Sequence, residues 1–360
     1  MRERRPTLLL IVLVSGWAGG RHQANIMTLR KRMDDREIVF MYPGQGVQYF
    51  QMGKSLFEHD RVFRDSLMSL DRMVTVEIGT SLIDYVFDAG RDVSSPFDMT
   101  LYSNQAVFCF EYAMTQALIS HGVYPDHLLG ASLGELVCAS VSGALSPRDC
   151  IALLADSARV MARHCAPGGM LAVLATPDLF ERDARLREAG EIASIPSAQH
   201  FVMAGTRAGI DMAEAHLSVL GETTMRLPVE YGFHSSAIDP ARAPLRLCFQ
   251  SVASSRPVLP AWSCRTGRPV ERYDAEHFDT VLRDVIDFKR TIEYMERRSA
   301  CVYLDISPSG TLSTGCRTLL EEASRSETFA VCTPFSRHPT LDPVHWMRPT
   351  PVSVMRMRTA

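Results

Sequence analysis

Three short stretches of this chain carry residue types whose spacing suits attack on a carbonyl carbon. Gly130-Ala131-Ser132-Leu133-Gly134 fits Gly-x-Ser-x-Gly, a serine held on a sharp turn between a strand and a helix. Ser132 at a helix N-terminus would have free N–H groups and the helix dipole on its side, both of which stabilise developing negative charge. The N–H of Leu133 would point to where a tetrahedral oxyanion forms, and Glu135 falls in the first helical turn, where the dipole suits it. The alternative reading of this pentapeptide is a small-residue turn before a core helix. Pro43-Gly44-Gln45-Gly46 is a second tight turn, and the N–H of Gln45 is a candidate second oxyanion donor. Tyr231-Gly232-Phe233-His234 places a histidine where the chain returns from an inserted unit. Alone, such a histidine reads as structural; paired with an exposed serine, it reads as the general base.

The elements around these residues have a two-part pattern. Arg36–Tyr42 and His127–Leu129 are short apolar strand candidates that run into the two turns. Met52–Met73, Ser103–His121 and Leu133–Val141 have helical spacing, with Asn104 and Gln105 opening the second. Gln105 either faces a site or is solvated. Ser146-Pro147-Arg148-Asp149 is a helix start, with Ser146 as cap and Pro147 in the first helical position, running to about Arg163. Composition then changes. Met170–Leu174, Pro177–Ala189, His200–Ala204, Ala208–Leu220 and Thr223–Leu227 alternate strand and helix, in the manner of a ferredoxin-like split βαβ. Beyond His234, Val258–Pro260, Cys301–Ile306 and Thr328–Thr333 are strand candidates, and Asp274–Arg298 reads as helical. The division expected is an N-terminal extension over 1–35, a large α/β domain from 36–166 and 233–336, a small α+β domain over 167–232, and a flexible tail over 337–360.

The chain has 360 residues, 46% of them hydrophobic, with a net charge of -3, which shows no bias toward nucleic acid or an anionic membrane. Its nine cysteines form no Cys-x-x-Cys and several lie in apolar runs, which fits reduced core thiols and a cytoplasmic protein better than a disulfide frame or a metal site. Arg2–Arg5, Leu8–Val14 and Ala18-Gly19-Gly20 imitate a secretory signal. The reading adopted instead is translation from Met27 or Met33, because the core begins only near Glu37.

With these motifs in order, the chain resembles the malonyl-CoA:acyl-carrier-protein transacylase family, which includes the acyltransferase domains and free-standing acyltransferases of polyketide synthases. The resemblance runs from about Ile38 to Ser336. Tyr42-Pro43-Gly44-Gln45-Gly46-Val47-Gln48 is similar to the family's Phe-Pro-Gly-Gln-Gly-Ser-Gln opening. Asn104-Gln105-Ala106 is similar to its Gln-Pro-Ala, and Gly130 to Glu135 to its Gly-His-Ser-x-Gly-Glu. Gly168 to Val173 resembles its Gly-Ala-Met-Ala-Ala-Val, and Phe233-His234-Ser235-Ser236 its His-Ser segment. The resemblance implies an α/β-hydrolase-like core with a ferredoxin-like insert and ping-pong acyl transfer. It implies Ser132 as nucleophile, His234 as base and then acid, and the N–H groups of Gln45 and Leu133 as the oxyanion hole. In the family an Asn-Pro-Val-Gln-like segment orients the histidine. Asp284–Asp287 holds that place here, with Asp287 either strengthening the dyad or merely solvated.

Two departures bear on substrate. Ala131 stands where the family has a histidine beside the nucleophile. Malonyl-specific members carry an arginine that binds the free carboxylate, and ungapped alignment from Ser132 puts Ser157 there. Arg159 is two residues on, about 200° around a helix, whereas Met161 and His164 share the face of Ser157. A neutral serine does not replace a bidentate guanidinium. The expected substrate is therefore an uncharged acyl group, with Gln105, Ala131, Ser157 and Met161 around it. The expected activity is formation of an acyl-serine from acyl carrier protein thioesters, followed by hydrolysis, as in editing members of the family associated with synthases lacking built-in acyltransferases. The alternatives are malonyl loading from malonyl-CoA and a non-catalytic scaffold. No cofactor is expected beyond acyl-CoA or acyl-phosphopantetheine as substrate. Acyl carrier protein is the expected partner, with no nucleic acid or membrane. Arg182, Arg185 and Arg187 are docking candidates or a solvated face.

Overall fold

The computed structural model describes residues 36–336 and residue 341. The expectations for 1–35 and for the tail, apart from the buried Leu341, lie outside the described residues.

Two sheets organise the chain. The larger has six strands in the order β10 (Glu327–Ala330), β9 (Cys301–Asp305), β1 (Glu37–Tyr42), β2 (His127–Gly130), β7 (Ala261–Ser263) and β8 (Arg268–Pro269). All neighbours are parallel except β7 and β8. Parallel strands are covered on both faces, so they read as unbroken apolar runs such as Ile38–Tyr42. Alternate residues divide between two cores. Phe40, Tyr42, Leu128 and Val302 pack toward the helices Thr100–Ser120, Gly134–Val141 and Pro147–His164. Val39, Met41, Leu129 and Tyr303 pack toward Phe288, Ile292 and Cys316 on the opposite face. Each such side chain, fully buried, contributes roughly 1.5–3 kcal/mol.

The smaller sheet is antiparallel, in the order β4 (Glu191–Ser197), β5 (His200–Thr206), β3 (Gly168–Val173) and β6 (Thr224–Arg226). Leu171, Val173, Phe201 and Met203 meet Leu186, Ile210 and Leu217 of its own helices. Met170, Ala172, Val202 and Ala204, on the other face, join the core of the large sheet. β4 is a strand the sequence pattern does not reveal, since its apolar residues Ile192 and Ile195 break the two-residue alternation and Pro196 interrupts it.

Three stretches expected as single helices are each two. Met52–Met73 divides into Lys54–His59 and Arg61–Ile78, and Pro177–Ala189 into Pro177–Arg182 and Ala184–Ala189. Asp274–Arg298 divides into Ala275–Arg283 and Phe288–Glu296, with Asp284–Asp287 between them. At each break an aspartate caps the second helix: Asp60 accepts from the Phe63 N–H, Asp183 from Arg185 and Leu186, Asp287 from Arg290. The Ser146 cap forms as expected, and its helix ends at His164. Among the described residues, no helix is long and apolar enough to cross a membrane.

Candidate active site

The parallel strands end on one side of the large sheet, and the turn after β2 carries Ser132. Its backbone has φ 56°, left-handed for a residue with a Cβ, a strain of roughly 1–3 kcal/mol that such turns sustain at functional sites. Local hydrogen bonds hold the turn. The Ala131 N–H donates to the Tyr42 carbonyl at 2.9 Å, and the Gly134 and Glu135 N–H groups donate to the Ala131 and Ser132 carbonyls at 3.0 Å. Gly134 is required because a Cβ there would lie 1.9 Å from the Tyr42 carbonyl oxygen, so only glycine lets the helix start this close to β1. Gly44 brings the first loop close to the nucleophile, since a Cβ on it would lie 2.8 Å from the Ser132 Cβ.

His234 is also left-handed, at φ 60°, and is 2% exposed. Its Nε2 lies 2.9 Å from the Ser132 Oγ, and its Nδ1 lies 3.0 Å from the Asp284 carbonyl oxygen. A carbonyl only accepts, so Nδ1 carries the proton and Nε2 presents its lone pair to the hydroxyl, as a general base requires. Burial pulls the imidazole down to about 4, against the opposing pull of the Asp284 carbonyl, so the ring is neutral over the ordinary pH range.

Of the two aspartates expected to orient the ring, Asp284 does so through its backbone; its carboxylate turns to Arg265 at 3.2 Å. Asp287 does not act on the histidine. Its carboxylate accepts from the Arg290 N–H at 2.9 Å as a helix cap. The expected single helix over this segment would have kept the Asp284 carbonyl inside helical hydrogen bonding. The break between the two helices frees it.

Leu133 directly follows Ser132 and Gln45 follows Gly44 in the loop packed against it, and neither backbone N–H donates to an acceptor among the described residues. The Gln45 side chain is anchored at 2.8 Å to the Ser103 hydroxyl, and Gln48 pins the same loop by accepting from the Gly46 N–H at 2.8 Å and donating to the Phe97 and Pro228 carbonyls. Glu135 is buried, bonded to His277 Nε2 at 2.6 Å and to the Ser263 hydroxyl, so it ties the nucleophile's helix to β7. Ser103, Ser263 and His277 carried no signal in the sequence, because their roles depend on contacts across the fold.

Gln105 is neither solvated nor at a helix start. It is fully buried, one turn inside a helix that begins at Thr100, and its amide nitrogen donates to the Ile151 carbonyl at 2.9 Å. Ala131, Ser157 and Met161 are buried, whereas His164 is exposed. The Ser157 Oγ and Gln105 Oε1 have no hydrogen-bond partner. Arg159 is engaged elsewhere, donating to the Glu77 carbonyl and pairing with Asp156 at 2.8 Å. Among the described residues, no cluster of three or more His, Cys, Asp or Glu side chains could hold a metal ion.

A family model described as acyl transferase domain matches residues 39–344. The polyketide biosynthesis acyltransferase homolog BaeD of Bacillus velezensis is 36% identical over 306 residues, covering 85% of this chain and 94% of that protein. The homolog PksD of Bacillus subtilis is 36% identical over 83% of this chain and 92% of its own length. Among solved structures, the acyltransferase domain from the second module of the salinomycin polyketide synthase superposes with a TM-score of 0.76 at 26% identity, over 87% of this chain and 74% of that one. MCAT from Streptococcus pneumoniae shares the fold, with a TM-score of 0.69 at 23% identity over 82% of this chain and 96% of that one.

Proposed function

The chain belongs to the acyl transferase domain family, and from that premise we propose that it hydrolyses uncharged acyl groups from acyl carrier proteins in polyketide biosynthesis, through an acyl-Ser132 intermediate. The α/β-hydrolase-like large sheet supplies the serine turn, and the insert, with two short helices in its first crossover, is its ferredoxin-like small domain. Ser132 Oγ attacks the thioester carbonyl while His234 Nε2 takes its proton. The N–H groups of Gln45 and Leu133 receive the oxyanion, each such donor being typically worth about 3–4 kcal/mol. The intermediate collapses, the C–S bond breaks, and His234 returns the proton to the leaving thiolate of phosphopantetheine. Water then attacks the acyl-serine with His234 again as base, releasing the carboxylic acid and restoring Ser132. Every step uses protein groups and water, with no cofactor. The names of the two Bacillus relatives support the pathway assignment.

The observation that carries the choice of substrate is Ser157. It is buried and neutral, and the nearby Arg159 is turned to Glu77 and Asp156. A malonyl carboxylate placed beside Ser157, Gln105 and Met161 would be buried without a cation, at a cost of several kcal/mol. An acetyl or butyryl end carries no such penalty. Ala131, beside the nucleophile, leaves that wall small and apolar.

The test is to incubate the protein with acetyl-, butyryl- and malonyl-loaded carrier protein and follow intact mass with time. Loss of acetyl and butyryl with malonyl spared, and no loss with Ser132→Ala, is the expected result. Malonyl transfer through Ser132 to an empty carrier would instead make the protein a loading enzyme. No turnover of any of the three would favour a scaffold.

A further inference from the structure

The small sheet reaches the base, because its edge strand is bonded to both segments that hold His234. β4 extends across to the break between the helices: the Ile195 N–H donates to the Ile286 carbonyl and the Ile286 N–H to the Ala193 carbonyl, both at 2.9 Å. This bridge sits two residues beyond Asp284, whose carbonyl holds the histidine ring. At the start of β4, Glu191 reaches both sides. One carboxylate oxygen accepts from the Ser236 N–H at 2.7 Å, and the other lies 3.2 Å from the Arg283 guanidinium. Ser236 is two residues after the left-handed His234, and Arg283 immediately precedes Asp284. Arg283 also pairs with Asp239 at 2.8 Å, which closes the link back to the segment after His234. The His234 N–H donates to the Leu282 carbonyl at 3.1 Å. The base is thus gripped by two loops, and Glu191 spans them.

We propose that Glu191 is a positioning residue of the small domain that fixes the His234 loop against the Asp284 carbonyl. Its carboxylate is the one side chain, among the described residues, that bonds to both the Ser236 backbone and Arg283. Burial pushes this carboxyl up, but the Ser236 hydrogen bond and the Arg283 charge outweigh that and hold it below the ordinary carboxylate range, so it is ionised as the geometry needs. Releasing the bond lets the left-handed turn at His234 relax and Nε2 drift from the Ser132 Oγ. Glu191 does not touch the acyl group, so its effect falls on turnover rather than binding. The inference rests on the Ser132–His234 reading above.

The Ser236 N–H bond can be removed from either end. Glu191→Ala deletes the acceptor, and Ser236→Pro deletes the donor in a turn where proline fits the first position of a helical segment. With a short acetyl thioester of pantetheine as probe, each variant should lose about 10- to 100-fold in kcat with KM changed less than about twofold. Glu191→Gln keeps an acceptor oxygen for the Ser236 N–H but loses the charge facing Arg283, so it should recover only part of the loss. The double variant should be no slower than Glu191→Ala alone, because the one bond that Ser236→Pro removes is already lost with the Glu191 carboxylate. If either variant fails to fold, the other decides alone. Wild-type kcat in Glu191→Ala or Ser236→Pro, or losses that multiply in the double variant, overturns the assignment. Ser132→Ala and His234→Ala run alongside. If they are inactive while Glu191→Ala is unimpaired, only Glu191 is reassigned; if either turns over normally, the underlying reading falls.

Discussion

The two halves of the dyad are built in different ways. Ser132 is positioned by its own neighbourhood: a strand, a turn and a helix contiguous in sequence, closed by backbone bonds from Ala131, Gly134 and Glu135 and by the contact of Gly134 with Tyr42. His234 has no regular element of its own at its position. It is held by Leu282, by the Asp284 carbonyl and by the bond from the nearby Ser236 to Glu191, so that each holding partner, Leu282, Asp284 and Glu191, is distant in sequence. A nucleophile that must sit in a strained conformation is best supported locally, where few contacts are needed. A base that must meet it from across the cleft is supported by the assembly of two sheets. The serine side should therefore fail through folding when disturbed, and the histidine side through loss of alignment.

The largest effect tests whether the two sides act as one unit. Ser132→Ala and His234→Ala should each lower turnover by about 10³- to 10⁶-fold, and the double variant should be no worse than the single ones. Intact mass should show no acyl-enzyme with Ser132→Ala. Independent, multiplying losses would mean that the two residues serve different steps.

Gly134→Ala breaks the serine side alone. Its Cβ would meet the Tyr42 carbonyl at 1.9 Å, backbone against backbone, so neither partner can yield cheaply. A destabilisation above about 3 kcal/mol is expected, read as a fall in the urea midpoint. A variant that folds with wild-type stability would show that this turn is looser than its contacts imply.

This difference also explains what the sequence disclosed. The serine turn was legible because its motif is local, and β1, β2 and β9 because buried parallel strands read as apolar runs. The three helix breaks were not legible, because hydrophobic spacing continues across Asp60, Asp183 and Asp284–Asp287 while a capping aspartate starts a new helix. An aspartate inside a periodic run, three residues before a backbone N–H it can cap, was the available signal. β4 left none, since Ser194, Pro196 and Ser197 do not look like a strand. The consequences meet at the base: the break frees the Asp284 carbonyl and β4 bonds to the same break, and neither contact leaves a trace in the residues around His234. Asp287, open in the sequence between strengthening the dyad and mere solvation, does neither: it caps the second helix of that segment.

On the histidine side, pH separates alignment from charge. His234 is held near 4 by burial, against 6.5 for a free imidazole. The acetyl thioester rate should stay level from pH 8 down to about 5 and fall as the ring protonates near 4. An acid limb near 6.5 would mean that the ring is solvated in the working enzyme. The same shift acts on stability. Between about 6.5 and 4 the unfolded chain binds a proton that the folded chain refuses, so stability is complete above that window and declines as pH falls through it, by up to about 3 kcal/mol. Replacing His234 with alanine should flatten that part of the stability profile.

The smallest expected effect distinguishes orientation by a carbonyl from orientation by a carboxylate. Asp287 lies three residues beyond Asp284, but its side chain accepts from the Arg290 N–H at 2.9 Å and pairs with the Arg290 guanidinium at 3.4 Å. Asp287→Ala should therefore cost about 1 kcal/mol of stability, the ordinary loss of a helix cap. It should leave kcat within about threefold of wild type, because the ring is held by the Asp284 carbonyl, which the substitution keeps. Asp287→Asn retains a capping oxygen and should restore the stability. A loss of about 10⁴-fold in kcat with Asp287→Asn, the scale of a missing triad acid, would instead place a carboxylate behind His234 and make its support resemble that of a three-residue relay. Loss of the cap with preserved turnover would show that this segment serves the base through its backbone, as the contrast between the two halves of the dyad requires.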